Sequence, residues 1–184
     1  MRTNSVPRAF AGAATAVPKG VTGGQMVADS GTDGVVVFLI GMRVNRWRKV
    51  RSWWPVAAAM PRMLAELQGA DAGLLGAHTF WSGRTFLVVQ YWRSAEELGA
   101  YARDPKRRHA PAWGAFNRTA AATGHVGIFH ETYVVPRSGI ESIYGNMPAF
   151  GLAAAVGSVE RSAHGYRNDA NRKLATTEPE YVNG

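Results

Sequence analysis

A chain of 184 residues, 46% of them hydrophobic and six of them tryptophan, can bury one substantial core, so a single domain with tails is expected. Without cysteine there is no disulfide, thiolate metal site or cysteine nucleophile. The net charge of +8 raises the question of nucleic acid, but the basic residues are scattered. Zinc-finger spacing, helix-turn-helix patterning and the stacking aromatics of RNA modules are missing too, so no nucleic-acid partner is expected.

Residues Met1 to Asp33 are rich in Gly, Ala, Thr and Ser and lack sustained periodicity, which predicts a flexible tail. Within it Ala9 to Val17 follows Arg2 and Arg8 but is broken by Gly12, a poor match to an export signal. No run reaches the roughly eighteen apolar residues that a bilayer span needs, so a protein with no membrane span and a cytoplasmic location is expected. The run VVVFLIGMRV from Val35 to Val44 is dense in β-branched residues and predicts a mostly buried strand. Ser52 is placed as a helix N-cap with Pro55 in the first turn. That helix passes Met60, Met63, Leu64 and Leu67 to stop at Gly69, and Pro61 predicts a kink or a break into two short helices.

Leu74 to Phe80 and Thr85 to Tyr91 are two β-prone runs joined by a turn over Trp81, Ser82, Gly83 and Arg84. Ser94 with Glu97 three residues on makes a capping box for a helix whose inward face is Leu98 and Tyr101. After Asp104 and Pro105 a second helical piece runs from Lys106 to about Ala122, Gly124 ends it, and Gly127 to Val135 is a fourth strand. The order strand, helix, strand, strand, helix, strand predicts an α+β fold, a ferredoxin-like split βαβ with an antiparallel sheet and helices on one face. The uncovered face calls for a second copy, hence a homodimer. The domain is set at residues 34–160, including an ordered C-terminal extension, with a polar tail over 161–184.

Several side chains carry candidate chemistry. His109 near the open end of a pocket suits a general base or an axial ligand to haem iron; the alternative is a surface imidazole beside Lys106, Arg107 and Arg108. Alternation along GIFHETY sends Ile128, His130 and Thr132 to one side and Phe129, Glu131 and Tyr133 to the other. His130 then faces either the pocket or a subunit interface, and Tyr133 either orients a substrate or only satisfies its hydroxyl. His125 beside Gly124 reads as a helix-end residue. The histidine spacing lacks the close pairs of a mononuclear zinc site. Asn45 and Asn117 are candidates to hydrogen-bond a substrate, or turn and cap residues. Trp81 and Trp113, with Trp53 and Trp54, suit an aromatic-lined pocket or core packing.

The element order, the strand ending in Trp92 and Ser94, and the stretch carrying Asp104, Pro105 and His109 resemble the antibiotic biosynthesis monooxygenase superfamily of dimeric α+β barrels. The strings VVVFLIGMRVN, WWPVAAAMPRML, HAPAWGAFNR and GIFHETYVV look like a subgroup related to a monooxygenase of fumagillin biosynthesis, over Val35 to Gly157. The resemblance implies a small oxygenase acting on an apolar, secondary-metabolite-type molecule, by cofactor-free or haem-dependent chemistry. Its alternatives are a haem-binding dehydratase or isomerase and a non-catalytic small-molecule or haem binder. It also implies His109 as haem ligand with Trp92 gating the ring, Asn45 bonded to a substrate or dioxygen oxygen, and Tyr144 in a segment that closes over the pocket or reaches across to the partner subunit. A polar pair converging inside an otherwise apolar cavity would separate the enzyme from the passive binder.

Overall fold

The computed structural model describes residues 18–29, 34–68, 71–104 and 123–161. In chain order its elements are β1 (Thr22–Ala28), β2 (Val35–Val44), α1 (Val50–Gln68), β3 (Leu74–Ser82), β4 (Thr85–Trp92), α2 (Ala95–Arg103), β5 (Val126–Val135), β6 (Tyr144–Met147), α3 (Leu152–Val156) and β7 (Ser158–Glu160). They fall into two units, Val35–Val134 and, separately, Met1–Gly34 with Val135–Gly184.

The larger unit holds a four-stranded sheet in the order β3-β4-β2-β5. β2 lies in the interior of the sheet and pairs antiparallel with β4 from Val36↔Trp92 to Arg43↔Thr85. It buries Val35, Val36, Ile40, Met42 and Val44, as a continuous apolar run in an inner strand must. β3 also pairs antiparallel with β4, with a bulge between Leu74 and Gly76. This is the α+β, ferredoxin-like arrangement; the helical piece expected from Lys106 to Ala122 lies outside the described residues.

The β3–β4 hairpin is tighter than the sequence suggests. Ser82 pairs with Thr85, so the loop is only Gly83 and Arg84, and Gly83 takes φ 55, the left-handed backbone such a loop demands. Trp81 stays in the strand because it stacks on Phe86 across the pair, with centroids 5.6 Å apart and planes 6° apart.

Helix α1 turns Trp53, Val56, Ala57, Met60, Met63 and Leu67 inward at helical spacing. Ser52 is not its cap. The helix begins two residues earlier, the Ser52 N–H donates to the Lys49 carbonyl at 2.9 Å, and Ser52 Oγ sits 3.2 Å from His125 Nδ1. Nor does Pro61 break it, because Pro55 and Pro61 both stand on the exposed side, where the carbonyls they leave unpartnered can turn to solvent. In α2 the Ser94 hydroxyl accepts the Glu97 N–H at 3.1 Å as expected. The return half of the box is absent: the Glu97 carboxylate turns to Arg93 at 3.2 Å, and Arg93 also binds Asp71 at 2.9 Å. Backbone N–H bonding at this helix start, aided by Ser94, holds the Glu96 carboxyl below its usual range.

The smaller unit corrects the reading of residues 1–33 as a tail. Thr22–Ala28 is the middle strand of a sheet ordered β6-β1-β7. Its partners come from the far end of the chain, Gln25 facing Gly145 and Val27 facing Val159. Val27, Ala28, Leu152 and Ala153 form buried apolar surface in this unit. Ser142 Oγ accepts the Ala28 N–H at 2.9 Å, and Arg161 donates to Gln25 Oε1 at 2.8 Å.

Gly41 in β2 is fixed by space. A Cβ there would stand 2.5 Å from the Phe129 ring and 2.6 Å from the Phe86 carbonyl oxygen. Gly41→Ala is expected to destabilise the protein by about 1–3 kcal/mol, the usual cost of overpacking, read as a lower urea midpoint at unchanged slope.

Candidate active site

Strand β4 alternates. Phe86, Val88, Gln90 and Trp92 point to the helices, while Leu87, Val89 and Tyr91 point to the opposite face, as the register with β2 requires. On the helix side Trp92 is fully buried and packs with Val36, Leu67, Leu98 and Tyr101, its ring 5.8 Å from that of Tyr101. Next to this cluster is a cavity of about 30 Å³, walled by Phe38 and Ile40 of β2, Met60, Met63 and Leu67 of α1, Gln90 and Trp92 of β4, and Leu98 and Tyr101 of α2. Its walls are almost wholly apolar.

Gln90 is the exception. It is 4% exposed, the buried polar residue of the described core, and its Oε1 accepts the Trp92 indole N–H at 2.9 Å. That bond fixes the orientation of the carboxamide, since an indole can only donate. The Nε2 donors are therefore what that bond leaves Gln90 to offer the cavity it lines. The Tyr101 hydroxyl is the second polar group of the wall. A carboxamide donor in an apolar recess suits an oxygen atom that gains negative charge during a reaction, because such a donor is strongest where water is excluded.

The sequence candidates separate. Trp92 lines the cavity, with its indole bonded to Gln90. His130 lies on the helix-facing side of β5, its ring 5.8 Å from that of Phe38, itself a wall of the cavity. Tyr133 is directed elsewhere. With Phe129 against Gly41 on the face away from the helices, alternation places Tyr133 on that face, 50% exposed. There its hydroxyl donates to Glu131 at 2.6 Å, and that bond raises its pKa above the ordinary phenol value. Asn45 acts as a strand-end residue, its amide donating to the Gly124 carbonyl at 3.0 Å. Trp81 is 69% exposed at the hairpin, its indole donating to the Gly83 carbonyl at 2.6 Å. Tyr144 belongs to the smaller unit, where its hydroxyl accepts the Ala153 N–H at 3.2 Å. His109, Trp113 and Asn117 lie outside the described residues. Gln90 was missed from sequence, although a signal was present: it sits at an inward position between Val88 and Trp92, where alternation calls for an apolar side chain.

Residues 35–152 match the family described as Monooxygenase af470-like. Monooxygenase af470 of Aspergillus fumigatus is 30% identical over 154 residues, covering 71% of this chain and 52% of that protein. The chain thus spans about half the length of this curated relative. Among solved structures, SnoaB, a cofactor-independent oxygenase from Streptomyces nogalater, is 10% identical with a TM-score of 0.41, covering 56% of this chain and 95% of its own. A dimeric protein of ferredoxin-like fold from Bacteroides fragilis is 11% identical with a TM-score of 0.42, covering 56% of this chain and 99% of its own. With most of its described core inside the matched residues, the chain belongs to the Monooxygenase af470-like family.

Proposed function

We propose that the protein is a small oxygenase that oxidises an apolar molecule bearing an acidic C–H, and that the cavity beside Trp92 receives the reacting end of that molecule. The observation that carries this reading is the locked carboxamide of Gln90 facing an otherwise apolar recess. A passive apolar binder gains nothing from a buried amide that must be desolvated, whereas a reaction passing through an enolate does.

The chemistry needs few groups. A base, for which His130 is the described candidate beside Phe38, takes the proton from an activated CH2. The resulting enolate passes one electron to dioxygen, giving a substrate radical and superoxide. These combine at carbon to a peroxide anion, which takes the proton back from the base, and the hydroperoxide so formed loses water to leave a carbonyl. The CH2 carbon gives up four electrons and dioxygen accepts four, one of its atoms ending in the carbonyl and the other in water. Gln90 Nε2 donates to the oxygen that carries the charge.

Haem fits the described cavity poorly. The volume of about 30 Å³ compares with the roughly 300–1,000 Å³ of pockets for drug-sized ligands. A smaller substrate edge is easier to admit, since Met60 and Met63 are unbranched and repack readily.

The opposite face of the sheet supports a homodimer. Val37, Leu39, Leu87 and Val89 share it with Phe80, Phe129 and Tyr133, which are 41%, 37% and 50% exposed. A second copy would bury this apolar surface.

Four outcomes are expected. Dioxygen consumption with oxidisable phenols and 1,3-diketones should reveal a turned-over class, and Gln90→Leu should lower kcat by roughly 10²–10³-fold with a smaller change in KM. Titration with haemin should give no sharp Soret band; a stoichiometric one would overturn the cofactor-free reading. Trp92→Phe and Gln90→Leu should each cost about 1–3 kcal/mol of stability by stranding a buried partner, and the double variant less than their sum. In sedimentation the chain should be a dimer that Phe80→Glu weakens by at least about tenfold.

A further inference from the structure

Six cations, five of them between residues 43 and 51 and the sixth Arg84, meet at one end of the larger unit. The Val44 N–H donates to the Arg84 carbonyl at 2.8 Å, and the Arg84 guanidinium donates to the Asn45 carbonyl at 3.1 Å. The Asn45 and Arg46 N–H groups donate to the His125 carbonyl at 2.9 and 3.2 Å. The β2–α1 connection, the β3–β4 hairpin and the start of β5 therefore share this end. Arg43, Arg46, Arg48, Lys49, Arg51 and Arg84 are all exposed there, and among the described residues none of the six makes an ion pair.

Two apolar side chains stand among them. Val50 and Trp54, spaced i and i+4 on the first turns of α1, are 50% and 61% exposed. Trp54 is propped outward: it meets Trp53 edge-on at 5.9 Å, and the Trp53 indole is tied to the Trp47 carbonyl at 2.9 Å. The helix start also breaks a local rule. Its first turn has no acidic residue and contains Arg51, with Arg48 and Lys49 just ahead, although cations weaken a helix at its positive end. A helix kept at that disadvantage points to an anionic surface outside the fold.

We propose that this end docks on an anionic lipid bilayer, with Trp54 and Val50 entering the headgroup boundary and the cations meeting lipid phosphates. Exposed tryptophan and valine beside Arg and Lys match the composition that settles at a membrane interface. A nucleic-acid backbone would satisfy the charges and leave both apolar side chains without a partner. The inference is independent of the reaction proposed for the cavity.

Co-sedimentation of the full chain with vesicles tests it. Vesicles of phosphatidylcholine and phosphatidylglycerol in equal parts should bind the protein, with an affinity that falls steeply as salt is raised, while phosphatidylcholine alone should bind it weakly. Arg46→Ala with Arg48→Ala should lower binding to the mixed vesicles by about 25-fold, and Trp54→Ala by about tenfold. All three side chains are exposed, and circular dichroism checks that the variants keep the fold. Absence of binding to the mixed vesicles, an unchanged affinity in Trp54→Ala, or a preference for duplex DNA at equal phosphate concentration would each overturn the proposal.

Discussion

The hydrogen bond from the Trp92 indole to Gln90 is the interaction on which the larger unit turns. Trp92 has no exposed surface and touches residues from β2, α1 and α2, so it joins the sheet to both helices. A buried carboxamide at the next inward position would be costly without a partner, and the indole supplies one at 2.9 Å. Core and site are thus one construction. The side chain that seals the fold also sets which end of the amide faces the cavity.

The sheet separates tasks by face and by end. Toward the helices lie the cavity, Gln90 and His130; on the other side lie Leu39, Val89, Phe80 and Phe129, an apolar surface suited to a second copy. This division follows from the period of two along each strand. It explains why Tyr133, three residues from His130 in sequence, is on the wrong face to share a substrate with it. The basic end is a third region, created by loops and a hairpin.

Where local signals were strong, the sequence could be read. The apolar run of β2, the left-handed Gly83 and the Ser94 cap are determined within a few residues of chain, and each takes the expected place. Signals that depend on distant partners were hidden. Strand β1, with two glycines and no periodicity, is defined by pairing with β6 and β7 more than a hundred residues away. Ser52 was assigned to its own helix, yet its hydroxyl turns to His125, 73 residues on. Arg84 joins the cations near Arg46 only through the hairpin, which the sequence spacing does not show. Gln90 was hidden for another reason: in a β-prone run one polar residue is easily passed over, and its meaning comes from the cavity that the helices enclose.

The pairing of β1 also bears on how the chain is made. Gly24 and Asn146, 122 residues apart, share a hydrogen bond in the smaller unit, whereas the larger unit is one uninterrupted stretch from Val35 to Val134. Synthesis from the N-terminus delivers β1 first and its two neighbours last. The larger unit can form its local contacts while β1 waits with both edges unpaired, and the small sheet can close only when the C-terminal strands emerge. Until then β1 is an open strand edge on the growing chain, and its glycines, poor in side chains for others to pack against, limit that exposure.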